Sequence, residues 1–296
     1  MTKLEKKNLM VGLAFTAPWI VGFTVFLLYP ILSSFYYSFT EYSVLQKPVF
    51  IGLGNYQDLL SDEVFWKSLW NTLFYAALAL PLGTALALGL AILLNSGIRG
   101  LTVYRTIFFI PSLVPMISMA ILWLWIFNPE FGVLNLALHA LRLPGPDWLG
   151  NPLWTKPAFV LMSLWTVGNA VVIYIAALQE VPVSLYEAAE LDGANAWQKI
   201  RHVTLPSISP VIFFNAVMGL IASLQIFAIP YVMTFPNPGN PARSALFYTM
   251  NLYDNAFRYL RMGYACAMAV ILFALILALT WILFRATKKH IHYRGS

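Results

Sequence analysis

The chain has 296 residues, 60% of them hydrophobic and only 10% charged, with a formal net charge of +6 and a mean hydropathy of +0.72. A soluble domain covers itself with roughly 25% charged residues, so this composition excludes a water-soluble globule and implies a surface that meets lipid. The basic excess is not a nucleic-acid footprint, because the lysines and arginines flank apolar segments instead of interleaving with aromatics on one patch.

Lys3, Lys6 and Lys7 precede an apolar run that starts near Leu9 and ends in Tyr29-Pro30-Ile31-Leu32. No small-x-small cleavage site follows, so the run reads as a retained first span and not as a signal peptide. A helix crosses the hydrocarbon core with about 20 apolar residues. Six stretches qualify, roughly 9–34, 70–94, 106–127, 157–178, 207–234 and 262–284. Pro111 and Pro115 in the third and Pro230 in the fifth predict kinks, which membrane helices tolerate where neighbours satisfy the freed carbonyls. Trp19, Tyr29, Tyr36, Trp66, Trp70, Trp123, Trp125 and Trp154 cluster near span ends, where amphipathic rings settle.

Orientation follows from lysine and arginine. One set of ends carries Lys3, Lys6, Lys7, Arg99, Arg105, Lys199, Arg201, Arg285, Lys288, Lys289 and Arg294 on short loops. The other carries Lys47, Lys67, Arg142, Lys156, Arg243, Arg258 and Arg261 on longer ones. Both termini are therefore expected in the cytoplasm. The lone Cys266 lies in an apolar run and reads as a small core residue.

The span interiors hold no Asp, Glu, Lys, Arg or His, and His139, His202, His290 and His292 fall in loops or the tail. Ion-coupled transporters need intramembrane ionisable groups, and membrane-embedded hydrolases need a catalytic constellation. No glycine–lysine dipeptide occurs, so a phosphate-binding loop of the G-x-x-x-x-G-K-[ST] type is excluded. The chain is expected not to be an enzyme. Uphill transport would draw its energy from another polypeptide, which leaves a passive pore, a scaffold, or the membrane subunit of a larger machine.

The loop at about 179–206 is the most informative segment. Ser184 and Glu187 have capping-box spacing, predicting a short helix from about Leu185. Ala188, Ala189, Glu190 and Leu191 sustain it, and Gly193 stands where a left-handed residue would stop it. Asn195 and Gln198 repeat the spacing and open a second short helix to about Val203, with Pro206 expected to close it. The alternative is a compact connector with no partner.

Glu187-Ala188-Ala189, Gly193 and Val203-Thr204-Leu205-Pro206 resemble the EAA–G–I–LP signature of binding-protein-dependent ABC import permeases, with valine in place of the usual isoleucine. The segments 30–40, 52–60 and 128–132, Phe65-Trp66, Asn71-Thr72 and 262–265 are similar to the carbohydrate-uptake branch. The resemblance implies an all-α permease fold, a single transmembrane domain over 1–296 with six spans and a cytoplasmic coupling helix between the fourth and fifth. It implies the first permease subunit of a disaccharide, oligosaccharide or glycerol-phosphate importer in a bacterial cell membrane. Its partners would be a second, different permease, an ATPase subunit dimer that uses ATP and Mg, and an extracytoplasmic solute-binding protein. No cofactor or metal is expected on this chain.

The same resemblance makes Glu187, Ala188, Ala189, Gly193, Val203, Leu205 and Pro206 the ATPase-coupling residues. On the fifth span Asn215, Met218, Gly219, Ala222, Ser223 and Ile226 share one helical face, with Gln225 at its edge. That face mixes small and polar groups, as a sugar-contacting wall would. Relatives also use the fourth span, which adds Ser163, Gly168 and Asn169. Helix–helix packing is the competing explanation for such residues in a membrane. The outer loops, about 35–69, 128–156 and 235–261, are long enough to meet a binding protein. A permease for a non-sugar solute and a passive channel or scaffold remain as alternatives, although a pore has no need of an ATPase dock.

Overall fold

The structure is a computed structural model that describes residues 2–95, 100–237 and 239–287. Arg99, Lys288, Lys289 and Arg294 of the charge count, together with His290, His292 and Pro238, lie outside the described residues. The chain opens with α1 (Lys3–Phe23), a π-helical turn (Thr24–Leu28) and α2 (Tyr29–Tyr37). A two-stranded ribbon follows, β1 (Thr40–Glu41) with β2 (Val49–Phe50), then α3 (Gly54–Ser61) and α4 (Glu63–Leu94). Next come α5 (Leu101–Phe109), α6 (Met116–Ile126), α7 (Val133–Ala140), α8 (Pro152–Trp165) and α9 (Gly168–Gln179). The loop at 179–206 holds α10 (Val183–Leu191) and α11 (Ala196–Lys199). The rest is α12 (Leu205–Leu224), α13 (Ala228–Met233), α14 (Tyr248–Tyr253) and α15 (Met262–Thr287).

Four helical runs are long and apolar enough to cross a membrane: Lys3–Tyr37, Glu63–Leu94, Ala196–Met233, which leaves helix at 225–227, and Met262–Thr287. Two more arise if each bent pair counts as one span, α5 with α6 at 101° and α8 with α9 at 45°. All six expected spans are thus occupied by helix, the third as a sharp break in place of a kink. Pro111 sits in the 3₁₀ turn that ends α5, and Pro115 is the N-cap of α6 with extended backbone. Two prolines this close deprive the helix of two donors and crowd the preceding carbonyls.

Elsewhere the chain absorbs proline. Tyr29 and Leu205 each donate five residues back, to Thr24 and Ile200 carbonyls, and a proline follows each of them. The widened turn relieves the crowding that a proline ring imposes on the carbonyl four residues back. Pro206 therefore does not close the second loop helix, contrary to expectation, and helix runs without interruption from 196 to 224. Ahead of Pro230 the chain leaves helix at 225–227, and the Ile226 carbonyl there accepts the Thr249 hydroxyl.

The chain forms two compact units. The first comprises residues 1–62 and 252–274. Its long first helix buries none of its apolar window. The β1–β2 ribbon pairs Thr40 with Phe50 and Glu41 with Val49. Asn55, in the Gly-Asn-Tyr segment, donates at 2.9 Å to the Ser38 and Thr40 carbonyls. Gly263 donates to the Tyr42 carbonyl at 3.0 Å. A β-carbon there would stand 2.0 Å from the Thr40 carbonyl oxygen.

The second unit comprises residues 63–251 and 275–296. Here α4 packs against α8, α9 and α12, with Ala87 and Ala91 fully buried along it. Small residues let helix backbones approach closely in lipid. The buried Asn71 donates to the Arg243 and Leu246 carbonyls at 2.8 and 2.9 Å and accepts from the Lys156 ammonium at 3.2 Å. Seven of the eight boundary aromatics remain substantially exposed. Trp123 does not: it is buried against Phe127 and Trp165 and serves as core.

Gly263→Ala should destabilise the protein by about 1–3 kcal/mol, since a rigid carbonyl cannot yield to the added methyl. Gly89→Ala, with nothing within 4 Å of the added atom, should leave stability unchanged or raise it through helix propensity. Thermal unfolding of the two variants in one detergent checks the contrast.

Candidate functional site

Two recesses of the second unit gather the residues singled out from the sequence. The first lies along the loop at 179–206. Helix α10 begins at Val183 behind Pro182, whose φ of −59° and ψ of 130° make it the N-cap without any side-chain bond. The expected Ser184–Glu187 capping box does not form, because the proline starts the helix earlier and leaves Ser184 inside it. Glu187 consequently stands exposed, with its carboxylate not held by a cap.

The other end of α10 matches its reading closely. Gly193 adopts φ +77°, its N–H donates to the Glu190 carbonyl at 3.0 Å, and Ala194 donates to the Ala189 carbonyl at 2.9 Å. This paired pattern is a Schellman turn, which satisfies the last carbonyls of a helix. The second capping box is also present: Gln198 N–H donates to Asn195 Oδ1 at 2.9 Å, and Asn195 N–H donates to Gln198 Oε1 at 2.8 Å. Two cross-links tie the halves together. Lys199 pairs with Glu190 at 2.7 Å, and the Tyr186 and Thr204 hydroxyls are 3.0 Å apart. Ala188, Ala189, Gly193 and Val203 line a cleft of about 460 Å³ along this hairpin, whereas Leu205 and Pro206 form the first residues of α12.

The second recess is a cavity of about 930 Å³ among α4, α6, α8, α9, α12 and α13. The whole predicted face of the fifth span, Asn215, Met218, Gly219, Ala222 and Ser223 on α12 and Ile226 just beyond it, lines the cavity, with Gln225. Ser163 and Asn169 join from α8 and α9. Gly168 is not in the wall. An added β-carbon there would fall 2.6 Å from the Phe108 carbonyl oxygen, so this glycine permits the close approach of α9 to α5. Gly219 combines both settings, since its β-carbon would meet Leu80 at 2.9 Å.

Tyr75, Thr84 and Thr166 also line the cavity and were missed from sequence. For Tyr75 a signal was present on α4, where Tyr75, Ala79 and Gly83 recur every fourth residue as Asn215, Gly219 and Ser223 do on α12. The wall combines these hydroxyls and amides with the rings of Phe159, Phe214 and Phe227, and none of its residues is Asp, Glu, Lys, Arg or His. Such a surface can hydrogen-bond a neutral hydroxylated solute and cover its C–H faces, but it offers no general acid, base or nucleophile of ordinary strength.

Residues 79–291 match the family described as binding-protein-dependent transport system inner membrane component. The chain belongs to that family and is a multi-pass membrane permease subunit of the ABC transporter type. It is 36% identical over 297 residues to the "Probable ABC transporter permease protein YesP" of Bacillus subtilis (strain 168), covering 98% of this chain and 94% of that protein. It is 33% identical over 284 residues to the lactose transport system permease protein LacF of Rhizobium radiobacter, covering 94% of each. A chain in the crystal structure of a bacterial alginate ABC transporter, in complex with an alginate pentasaccharide-bound periplasmic protein, superposes with a TM-score of 0.84 at 24% identity, covering 96% of both chains.

The Lys199 ammonium, by hydrogen bonding and by its charge, holds the Glu190 carboxyl below its ordinary value of 4.5. A lowered carboxyl pKa gives a bridge that is complete above the ordinary value and fades as pH falls through the depressed one. A carbon-detected NMR titration of Glu190 should therefore show a midpoint lower than that in Lys199→Met.

Proposed function

We propose that this chain forms half of the translocation pathway of an ATP-driven sugar importer and transmits the ATPase cycle to it through the hairpin at 179–206. One observation carries this reading: the uninterrupted helix over 196–224 contains both the second arm of the hairpin and the polar stripe of the cavity. At 1.5 Å per residue it spans about 43 Å. A displacement of the hairpin is thereby passed to Asn215, Gly219 and Ser223 along one rigid element.

Within this reading Glu187 supplies a charged contact to the ATPase subunit, and Ala188 and Ala189 allow its close approach. Gly193 turns the chain, Val203 packs the hairpin, and Leu205 and Pro206 start the transmitting helix. ATP binding to the subunit dimer favours one of two permease states by differential contacts at this hairpin, and only such a difference can move the equilibrium. Ser163, Asn169, Asn215, Met218, Gly219, Ala222 and Ser223 form this chain's share of the sugar path. A second permease completes the pathway, an extracytoplasmic binding protein delivers the solute, and ATP and Mg act on the ATPase alone. Both termini and the hairpin face the cytoplasm. The lactose system to which the LacF relative belongs and the neutral, hydroxyl-rich wall both favour sugar over glycerol phosphate. The rigid hairpin argues against a passive channel.

The complex of this chain with its partner permease and ATPase, reconstituted in lipid, tests the reading. Sugar-loaded binding protein should stimulate ATP hydrolysis, and Glu187→Ala should weaken that stimulation several-fold. An ATPase indifferent to both binding protein and substitution would refute it.

Gly193 provides a sharper check. Nothing lies within 4 Å of its missing β-carbon, so substitutions there act through backbone strain alone, about 1–2 kcal/mol for an ordinary residue in the left-handed region. Gly193→Val should uncouple hydrolysis from uptake, whereas Gly193→Asn, which tolerates that conformation, should retain most transport. Equal uptake by the two variants would remove the turn from the mechanism.

A further inference from the structure

Two lysines stand near the N-terminal ends of α4 and α8, helices that pack against each other. Lys67 lies in the second turn of α4 and Lys156 in the second turn of α8. Asn71 fixes the position of Lys156. Its amide nitrogen donates to the Arg243 and Leu246 carbonyls, which aims its oxygen at the Lys156 ammonium, 3.2 Å away. That ammonium also lies 5.1 Å from the centre of the Phe74 ring. Lys67, one turn before Asn71 on the same side of α4, is exposed, and its charge acts on Lys156. Neither lysine forms an ion pair among the described residues, although Glu63 stands one turn before Lys67.

An ammonium group has three donors, and Lys156 directs one of them at Asn71. Two positive charges held together without a counter-ion attract an anion, and hydrogen bonds between charged groups are the strong ones. The surroundings identify what carries that anion. Trp66 and Trp70 flank Lys67 on α4, Trp154 precedes Lys156 on α8, and all three rings are exposed. Exposed tryptophans settle at the headgroup level of a bilayer, which sets the two ammonium groups at the depth of lipid phosphates. Leu78 and Leu82 continue the stripe of Lys67 and Phe74 along α4 and are exposed as well. We propose that Lys67 and Lys156 bind the phosphate of an anionic phospholipid, whose acyl chains lie along Leu78 and Leu82. A zwitterionic headgroup would bring an ammonium of its own against the pair, so the site prefers an anionic lipid. The site concerns the bilayer and not the carried solute, so it stands independently of the sugar path.

The full chain in a neutral detergent, titrated with phosphatidylglycerol or with phosphatidylcholine of the same acyl chains, tests the site when bound lipid is counted by native mass spectrometry. Phosphatidylglycerol should bind more tightly than phosphatidylcholine, and Lys67→Gln should weaken its binding about fivefold, the effect of one basic side chain at a lipid surface. Lys67→Arg should retain it, and Lys67→Gln with Lys156→Gln should lower it to the level of phosphatidylcholine. The thermal midpoint of Lys67→Gln should match that of the native chain, which separates lost binding from lost folding. Equal binding of the two lipids, or binding of phosphatidylglycerol indifferent to Lys67→Gln, would overturn the proposal. Displacement of the lipid by millimolar inorganic phosphate would assign the pair to a soluble anion and overturn it too. Release of the lipid on assembly with a second permease, together with failure of Lys67→Glu to assemble, would give the pair to a carboxylate of that partner instead.

Discussion

Hydrocarbon offers a peptide group no hydrogen-bond partner, so every interruption of a membrane helix must be answered from within the protein. The chain places prolines at 18, 30, 81, 111, 115, 157, 206, 210 and 230 in or beside its span helices, and the architecture depends on how each is accommodated. Where one proline follows a widened turn, at 30 and 206, the helix continues. At 111 and 115 the span breaks at 101°, whereas at 206 and 210, with the same spacing but a widened turn ahead of the first, the helix runs on. Where the chain leaves helix at 225–227, a hydroxyl from Thr249 answers the Ile226 carbonyl. The last turn of α4 follows the same rule, with the Arg105 guanidinium donating to the Leu94 carbonyl at 3.3 Å.

This accounting has a mechanical consequence. The widened turn ahead of Pro206 makes one element of what would otherwise be a loop helix and a separate span. The hairpin arm and the cavity wall then share a single backbone ladder, stiffened at one end by a Schellman turn, a reciprocal capping box and the Lys199–Glu190 pair. Each of these contacts is modest in water. Together they leave the hairpin few ways to deform, which suits a lever better than a connector.

Several residues that resemble the carbohydrate-uptake branch turn out to hold the fold. Asn55 and Gly263 lock the short ribbon of the first unit. Asn71 ties α4 to the segment at 243–248, where Thr72 also accepts the Tyr248 N–H at 2.8 Å. Asn128 accepts from the Glu130 and Phe131 N–H groups at 2.9 and 3.1 Å, and Gly132 could not carry a β-carbon, which would lie 2.3 Å from the Asn128 carbonyl oxygen. A buried amide that satisfies two carbonyls is costly to replace, since either group left alone keeps its desolvation penalty. Family motifs in this protein therefore record construction as well as transport.

Sequence alone determined the membrane class, the six helical regions, the left-handed glycine, the second capping box and the stripe on α12. All of these rest on local quantities: apolar length, backbone conformation at one residue, and the 3.6-residue period. Tertiary structure decided what local rules leave open. It decided that Pro182 and not Ser184 starts α10, because a residue with preset φ at the cap leaves its neighbour no capping role. It decided that Pro206 lies within a continuous helix, because a five-residue turn was available to relieve it. It placed Gly168 in a packing contact and Tyr75, Thr84 and Thr166 in the cavity wall, because a helix face has no identity until another helix is set against it.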